Sequence, residues 1–238
     1  MRFTIKLADI PIGVETLHER CYQLCGEYLT EEEPRVRVRT DLSDIQAERE
    51  ASDGQPGSDD YLETLAVYRQ IAEKMIRENV LLFHGSAVAA DGKGYLFMAD
   101  SGTGKSTHTR IWRNELPRLG HEIFMINDDK PLLKFTEEAV LACGTPWNGK
   151  HKLGTNTMVP LAGVCLLKRG EENRIRRADT REAFPWLMQY CYRAREKEDV
   201  AATILLLDEL VRRVPVYELH CNMEPDAALV SFEGMRNG

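Results

Sequence analysis

The chain has 238 residues, of which 43% are hydrophobic and 29% are charged, and its formal net charge is −7. These values are typical of a globular protein with one sizeable core, or with one domain and a small appendage. The acidic balance argues against a nucleic-acid partner, because duplex-binding domains usually carry a basic face. Apolar runs such as 203–207 are far shorter than the ~20 residues of a membrane span, so we expect no membrane partner.

The start of the chain and the cysteines indicate a cytoplasmic protein. Charges interrupt the apolar part of residues 1–13, which is therefore not a secretion signal. Six cysteines are present, and Cys21 and Cys25 lie four residues apart without the second pair that a zinc site needs. We expect these thiols to be buried or idle in a reducing compartment.

The first sixty residues predict a small N-terminal β/α appendage that ends in an acidic linker. Residues 1–10 predict a strand, residues 17–28 a helix, and the alternating stretch 34–40 a half-exposed strand. Residues 41–60 are polar, acidic and rich in glycine and serine, which is typical of a loop or linker. We therefore expect an appendage at 1–60 and a catalytic domain at 61–238.

The second part of the chain predicts a mixed sheet flanked by helices. A helical apolar period covers 61–79, and further helices are expected at 107–119, 180–191, 199–214 and from about 225. Strands are expected at 81–83, 86–90, 95–98, 123–126, 132–135, 140–143, 159–167, 174–177 and 216–220. Short hairpin connections exclude a purely parallel sheet, so we expect an α/β fold of the α+β-like kind with a mixed sheet.

The segment "ADSGTGKST" at 99–107 follows an apolar strand and opens a helix, which predicts a phosphate-binding P-loop. Its glycines allow turns that aim successive backbone N–H groups at one anion, and the helix adds its positive dipole end. Alanine occupies position 99, where the usual pattern has its first glycine. The predicted nucleotide-binding residues are Ser101, Gly102, Thr103, Gly104, Lys105, Ser106 and Thr107, with the Lys105 amine on the phosphates and the Ser106 hydroxyl on Mg²⁺.

Two adjacent aspartates, Asp128 and Asp129, end the apolar strand at 123–126. Neighbouring carboxylates repel each other and are best tolerated beside a cation such as Mg²⁺. One carboxylate can hold the metal while the other takes a proton from an attacking hydroxyl. The alternative is a capped turn before Pro131.

His84 is a weaker candidate on its own, since a lone histidine after an apolar run is more often structural. Its place changes that interpretation. If the strands at 86–90 and 95–98 pair across the turn at Asp91 and Gly92, His84 lies at the end of the sheet where the P-loop begins.

With "HGSA", "SGTGKST" and an Asp pair in this order, residues 81–170 resemble the HPr kinase/phosphorylase catalytic domain. They also look like the nucleotide-binding part of ATP-dependent phosphoenolpyruvate carboxykinase. The resemblance implies a mixed-sheet P-loop fold of the phosphoenolpyruvate carboxykinase/HPr kinase type, with ATP and Mg²⁺ as cofactors. It implies that His84 assists at the phosphate or metal, and that Asp128 and Asp129 share the base and metal roles, with Asp129 nearer the metal.

The chain also departs from both families. It is too short for a carboxykinase, and it lacks the glycine-rich signature that follows the aspartates in HPr kinases. In that place stands "CGTPWNGKHKLGTN" at 143–156, a candidate lid or substrate segment that includes Trp147, Lys150 and Lys152. The alternative is an ordinary surface loop with the Trp147 side chain packed down.

Two further features of the sequence leave alternatives open. Arg169 ends a predicted buried strand and is a candidate for stabilising phosphoryl-transfer charge, although its basic neighbourhood is also typical of a solvated face. The leucine-rich face of 199–214 is typical of core packing or of a homo-oligomer surface.

We therefore expect an ATP- and Mg²⁺-dependent, HPr kinase-like enzyme that transfers the γ-phosphate to a hydroxyl. By resemblance the acceptor is a serine of a peptide or protein. The alternatives are a kinase for a small metabolite such as free serine, a carboxykinase-like protein, and a non-catalytic nucleotide sensor.

Overall fold

The computed structural model describes residues 1–51 and 57–237, and the chain divides into two compact units, Met1–Glu78 and Asn79–Gly238. The predicted boundary near residue 60 differs from this division. The helix Asp59–Met75 belongs to the N-terminal unit, because its apolar face packs on the other helices and on an edge strand of that unit. No helix within the described residues is long and apolar enough to cross a membrane.

The N-terminal unit is a three-stranded sheet with helices. Its strands are β1 (Arg2–Leu7), β2 (Ile10–Glu15) and β3 (Val36–Arg39), and its helices are α1 (Arg20–Leu24), α2 (Leu42–Ala51) and α3 (Asp59–Met75). Strand β2 pairs antiparallel with β1 and parallel with β3. Short 3₁₀ turns occupy Gly26–Tyr28 and Ile76–Glu78.

The structure corrects three predictions in this unit. The single strand expected at 1–10 is a hairpin that turns at Ala8 and Asp9, which both have positive φ (48° and 58°) and lack the usual glycine signal. The helix expected at 17–28 is reduced to α1 and a 3₁₀ turn. The linker expected at 41–60 contains α2, whose first N–H groups are capped by the carboxylate of Asp41, while residues 52–56 of that linker lie outside the described residues.

The mixed α/β architecture that the sequence predicts is confirmed in the C-terminal unit. The early elements are β4 (Val80–Leu82), β5 (Ser86–Ala90), β6 (Lys93–Met98), α4 (Lys105–Glu115), β7 (Ile123–Asn127), β8 (Leu132–Phe135) and β9 (Val140–Cys143). The later elements are β10 (Met158–Arg169), β11 (Arg174–Arg177), α5 (Thr180–Tyr190), α6 (Lys197–Arg213), β12 (Val216–Cys221) and α7 (Asp226–Arg236).

The sheet of this unit runs in the order β4-β8-β9-β10-β6-β5-β7, and β12 joins β10 and carries β11. The P-loop strand β6 pairs antiparallel with β5 and parallel with β10. The hairpin between β5 and β6 turns at Asp91 and Gly92, with φ of 51° and 76°. A mixed sheet therefore presents the end of β6 next to the last part of β10 and the beginning of β5.

An aromatic cluster holds α4 and α7 on this sheet. Trp112 is fully buried, and its ring lies 5.1 Å from that of Phe97, 5.2 Å from that of Tyr95 and 5.5 Å from that of Phe232. The contacts with Phe97 and Phe232 are edge-to-face and that with Tyr95 is tilted, and aromatic contacts of these kinds add to the burial of large apolar surfaces. The cluster fixes the helix that follows the P-loop, and therefore the loop itself.

Most of the cysteines and several leucines of α6 are packed inside the units. All six cysteines are free thiols, and five of them are buried. In α6 the side chains of Leu206, Leu207 and Leu210 are buried within the unit, whereas Leu205 is 68% exposed.

Candidate functional site

The P-loop connects β6 to α4, and its backbone depends on two glycines. Gly102 and Gly104 have φ of 75° and 120°, and a φ of 120° is a conformation that side chains with a Cβ rarely adopt. The Lys105 amine folds back over the loop and donates to the Ala99 carbonyl at 2.6 Å. The backbone at Ala99 lies outside the left-handed region, so alanine causes no strain where the usual pattern has glycine.

The first turn of α4 presents the other residues of the motif. The side chain of Ser106 is exposed and that of Thr107 is half-buried, while Ser101 is exposed in the loop. The Thr103 N–H donates to the Asp100 carbonyl at 3.1 Å, which closes a turn inside the loop. This arrangement leaves the start of α4, with its unpaired N–H groups, accessible to an anion.

Backbone pairing places His84 beside the Asp pair. The Phe83 N–H donates to the Pro131 carbonyl and the Gly85 N–H donates to the Asp129 carbonyl, both at 3.1 Å. His84 lies between these two contacts, and its Nε2 is 3.6 Å from Oδ1 of Asp129. The register of β5 against β6 sets Ser86 opposite Phe97, so His84 stands at the P-loop end of the hairpin.

Three basic side chains surround the Asp129 carboxylate. Lys130 Nζ lies 3.3 Å from the same Oδ1 that faces His84, and the Lys105 amine also interacts with this carboxylate. Burial lowers the pKa of Lys105, assisted by Lys130 and opposed by Asp129 and Asp100. Burial, together with the charges of Lys130 and Lys105, lowers the pKa of His84 against the opposing effect of Asp129. The lowered pKa favours the neutral imidazole, so the positive charge beside Asp129 is that of Lys105 and Lys130.

The Asp128 carboxylate has a different partner from the carboxylate of Asp129. Its side chain is buried, and Oδ1 accepts a hydrogen bond from the Gly149 N–H at 2.7 Å. A Cβ at position 149 would lie only 3.1 Å from the second carboxylate oxygen. Glycine thus allows the segment 143–156 to approach Asp128 closely.

Asn127 is a functional candidate that the sequence reasoning missed. The side chain is fully buried at the end of β7, and its oxygen accepts from the N–H groups of Asp129 and Lys130 at 2.8 and 2.5 Å. Its amide donates to Thr145 Oγ1 and to Asn148 Oδ1, at 3.0 and 3.1 Å. Asn127 therefore orients the turn that carries Asp129 and ties it to the segment 143–156.

Asp100 and Lys130 were missed as well. Asp100 accepts hydrogen bonds from the Tyr190 hydroxyl at 2.8 Å and from the Gln189 amide at 3.1 Å, which joins the P-loop to the end of α5. A charged residue inside the P-loop, and a lysine directly after the Asp pair, were visible in the sequence. Only the fold shows that Lys130 turns back toward Asp129.

The candidate substrate residues are placed less centrally. The Trp147 side chain is only 7% exposed, so the structure packs it inward. Lys150 and Lys152 are exposed, and in the described part of the chain no ion pair joins either side chain to the P-loop or to Asp129. Arg169, at the end of β10, donates from Nη2 to the Gly102 carbonyl at 2.7 Å, which places its guanidinium on the P-loop.

The oxygen donors at this site suit Mg²⁺. Ser106 and Asp129 offer a hydroxyl and a carboxylate, and Mg²⁺ bound to a nucleotide needs only one or two protein oxygens because phosphates and water supply the others. Within residues 1–51 and 57–237, no group of three or more His, Cys, Asp or Glu side chains is placed to hold a metal ion without such a ligand.

Comparisons with known proteins give a distant structural likeness but no family. No protein-family model matches the chain, and no curated protein matches it. Among solved structures, the chain is similar to one described as the Hpr(Ser) kinase/phosphatase from Coxiella burnetii, with 13% identity and a TM-score of 0.39. The match covers 66% of this chain and 88% of that one, and a likeness of this size does not show a family.

Proposed function

We propose that the protein is an ATP- and Mg²⁺-dependent phosphotransferase that moves the γ-phosphate to a hydroxyl group. The observation that carries the proposal is the convergence of the P-loop amine of Lys105 with Asp129, His84 and Lys130. A phosphate cradle next to a carboxylate and two further basic groups matches what phosphoryl transfer requires, namely positioning and charge neutralisation. The proposal includes the carboxykinase/HPr kinase type of P-loop fold and a cytoplasmic site of action.

In this proposal each residue has a stated task. The P-loop N–H groups and the Lys105 amine bind the β- and γ-phosphates. Ser106 and Asp129 are the residues that would hold Mg²⁺, which neutralises phosphate charge when bound. The Asp128–Asp129 pair supplies the carboxylate that takes the proton of the attacking hydroxyl, and the neutral His84 assists at the phosphate.

The acceptor is proposed to be a serine of a peptide or protein. Half of the His84 side chain and a third of that of Asp129 are exposed, so a hydroxyl on a macromolecule can reach them. The motif resemblance to HPr kinases points to the same class of acceptor. A metabolite kinase and a non-catalytic nucleotide sensor remain outcomes of the test.

The test is transfer from γ-labelled ATP with Mg²⁺ and a fractionated lysate, separating protein-bound label from labelled metabolites. Three proteins are compared, namely wild type, Asp129→Asn and the control Asp208→Asn. Asp208 lies on α6, and its side chain is 42% exposed against 32% for Asp129. We expect label on protein with wild type and with the control, and a loss of at least about 100-fold with Asp129→Asn, typical of removing a proton acceptor or metal ligand.

ATP binding is measured on the same three proteins. If label appears only in small molecules, the acceptor is a metabolite and not a protein. If the protein binds ATP but shows no transfer that depends on Asp129, it is a nucleotide sensor and not an enzyme.

A further inference from the structure

A groove of about 740 Å³ lies on the N-terminal unit, between the three-stranded sheet and α3. Four of its lining side chains are basic, and they come from three different elements: Arg2 of β1, Arg37 and Arg39 of β3, and Lys74 of α3. All of them belong to Met1–Glu78, so the groove is complete within one unit.

Strand register explains how the groove forms. Arg2 pairs with Glu15 on β2, and Glu15 pairs with Arg39, so these three side chains form one row across the sheet. In the adjoining row Gly13 pairs with Arg37. The glycine adds no side chain to this part of the groove, and the lining residue Pro34 lies over it, since a Cβ at position 13 would be 3.1 Å from the Pro34 side chain.

The guanidinium groups in this groove are exposed and only loosely paired. The side chains of Arg37 and Arg39 are 69% and 75% exposed. Arg37 lies 3.4 Å from a carboxylate oxygen of Glu33, and Arg39 lies 3.8 Å from one of Glu15. Charge-assisted hydrogen bonds are usually near 2.8 Å, and exposed ion pairs of this length contribute little. The carboxylates of a ligand can therefore replace Glu33 and Glu15 as partners of these two guanidinium groups.

The basic groove contrasts with the charge of the unit that carries it. Residues 1–78 include seventeen Asp and Glu but only ten Lys and Arg, and thus hold a formal net charge of −7, as large as that of the whole chain. Four of the ten basic residues line this one groove. Glu15 is the single carboxylate among the lining residues, and Arg2 and Arg39 flank it.

The backbone edge of β3 is already occupied. Gln70 of α3 donates its amide to the Arg39 carbonyl at 2.8 Å and accepts the Arg39 N–H at 3.1 Å. The Lys74 amine donates to the Arg37 carbonyl. A ligand cannot add to this edge as a further strand, so recognition must go through side chains.

We propose that this groove binds an extended, acidic segment of a partner protein. Arg37 and Arg39 are two residues apart on a strand, so their side chains share a face with a spacing of roughly 6.6 Å. An extended peptide with Asp or Glu at alternate positions repeats that spacing and can place one carboxylate on each guanidinium. The inference does not depend on the proposed phosphotransferase activity.

The experiment measures fluorescence anisotropy of the full chain with a labelled peptide that alternates Asp or Glu with Ser. The comparison peptide replaces each acid with Asn or Gln, and a single-stranded oligonucleotide of equal charge serves as a third probe. The test variant is Arg37→Gln with Arg39→Gln. The control variant is Arg118→Gln with Arg174→Gln, two arginines that are 72% and 76% exposed and that also face one carboxylate each.

We expect the acidic peptide to bind, and to bind more weakly as salt is raised, while the neutral peptide does not bind. The test variant should lose about tenfold in affinity, and the control variant should bind as wild type does, although both lose two positive charges. Equal loss of affinity in both variants would show that binding depends on net charge alone, and would overturn the proposed binding at the groove. Absence of acidic-peptide binding, or tighter binding of the oligonucleotide through Arg37 and Arg39, would also overturn the proposal. Neither outcome changes the result expected in the transfer assay with γ-labelled ATP.

Discussion

Asp129 has the densest charge environment of the candidate site residues. Its Oδ1 faces His84 and Lys130, and the amine of Lys105 interacts with the same carboxylate. Because the His84 imidazole is neutral, the cations beside this carboxylate are the amines of Lys105 and Lys130. These two amines are a reason to expect an anionic ligand here, independent of any sequence motif.

His108 provides a prediction at the scale of one residue. Its side chain is 3% exposed, Nε2 pairs with Ser231 Oγ, and burial lowers its pKa from 6.5 to about 3. Between these two values only the unfolded chain binds the proton, so this residue makes the unfolding free energy fall as the pH drops from about 6.5 toward 3. The slope is ~1.4 kcal/mol per pH unit. From pH 7 to pH 5 the wild-type protein should lose about 2 kcal/mol more than His108→Phe.

The measurement is urea unfolding of both proteins at pH 7 and pH 5, with His151→Phe as the control because His151 is exposed. Phenylalanine suits position 108. The ring of Phe97 already packs edge-on at 4.8 Å, and Nδ1 of the histidine is buried without a hydrogen-bond partner in the described structure. Ser231 would keep the indole N–H of Trp112 as a donor at 2.8 Å. An unchanged pH dependence in His108→Phe would contradict this account.

At the scale of elements, the P-loop hairpin was predictable from sequence because its signals are local. Asp91 and Gly92 mark the turn, and glycines follow at the two loop positions that need positive φ. Strand β2 was missed, because Pro11 and Gly13 in "IPIGVE" are unfavourable in strands and only the pairing with both neighbours overrides them. Helix α2 was missed because its polar composition resembles a linker, although Asp41 stood in the sequence as a capping residue.

The candidate site likewise combines features that have a local sequence signal with features that have none. The order of His84, the P-loop and the Asp pair could be recognised along the chain, since each follows an apolar strand. The link from Arg169 to the Gly102 carbonyl spans 67 positions and depends on the parallel pairing of β10 with β6. Long-range contacts of this kind have no local signal, and the same holds for the hydrogen bonds from the Asn127 amide to Thr145 and Asn148.

Gln70 gives a prediction for the edge of β3. Its amide makes both hydrogen bonds that a neighbouring strand would make with Arg39, so Gln70→Ala exposes that edge. Loss of two hydrogen bonds should cost about 1–2 kcal/mol locally. We expect faster amide hydrogen exchange in peptides that cover 36–39, measured by mass spectrometry. Gln46→Ala removes a comparable exposed amide on α2 and should leave that exchange unchanged, and equal exchange in the two variants would refute the role of Gln70.

At the scale of the whole molecule, each of the two units has a hydrophobic core of its own. The N-terminal core includes Ile5, Ile12 and Ile71, and the C-terminal core includes Trp112 and Phe232. The formal charge is also distributed unequally between the two units, since all of the net −7 lies within residues 1–78. We therefore expect damage in one core to remain within its unit.

Glu63 tests this expectation for the N-terminal unit. The carboxylate is fully buried and accepts from the N–H groups of Leu17 and His18 and from the Thr40 hydroxyl, at 2.6, 2.8 and 2.7 Å. Burial raises its pKa, but these hydrogen bonds outweigh that effect and the net shift is downward. Glu63→Gln turns an NH₂ group toward these donors and should destabilise the unit by about 2–4 kcal/mol.

The variant should show faster hydrogen exchange throughout 1–51 and 57–78, with no change in exchange at α4 and no change in ATP affinity. Glu31→Gln is the control, because that side chain is exposed. The reciprocal variant Trp112→Phe removes the indole bond to Ser231 and should accelerate exchange at α4 and α7, while exchange in residues 1–51 stays at the wild-type rate. If Glu63→Gln weakened ATP binding in proportion to its loss of stability, the expectation would be wrong. The two units would then unfold as one cooperative block, and the stabilities of their cores would be coupled.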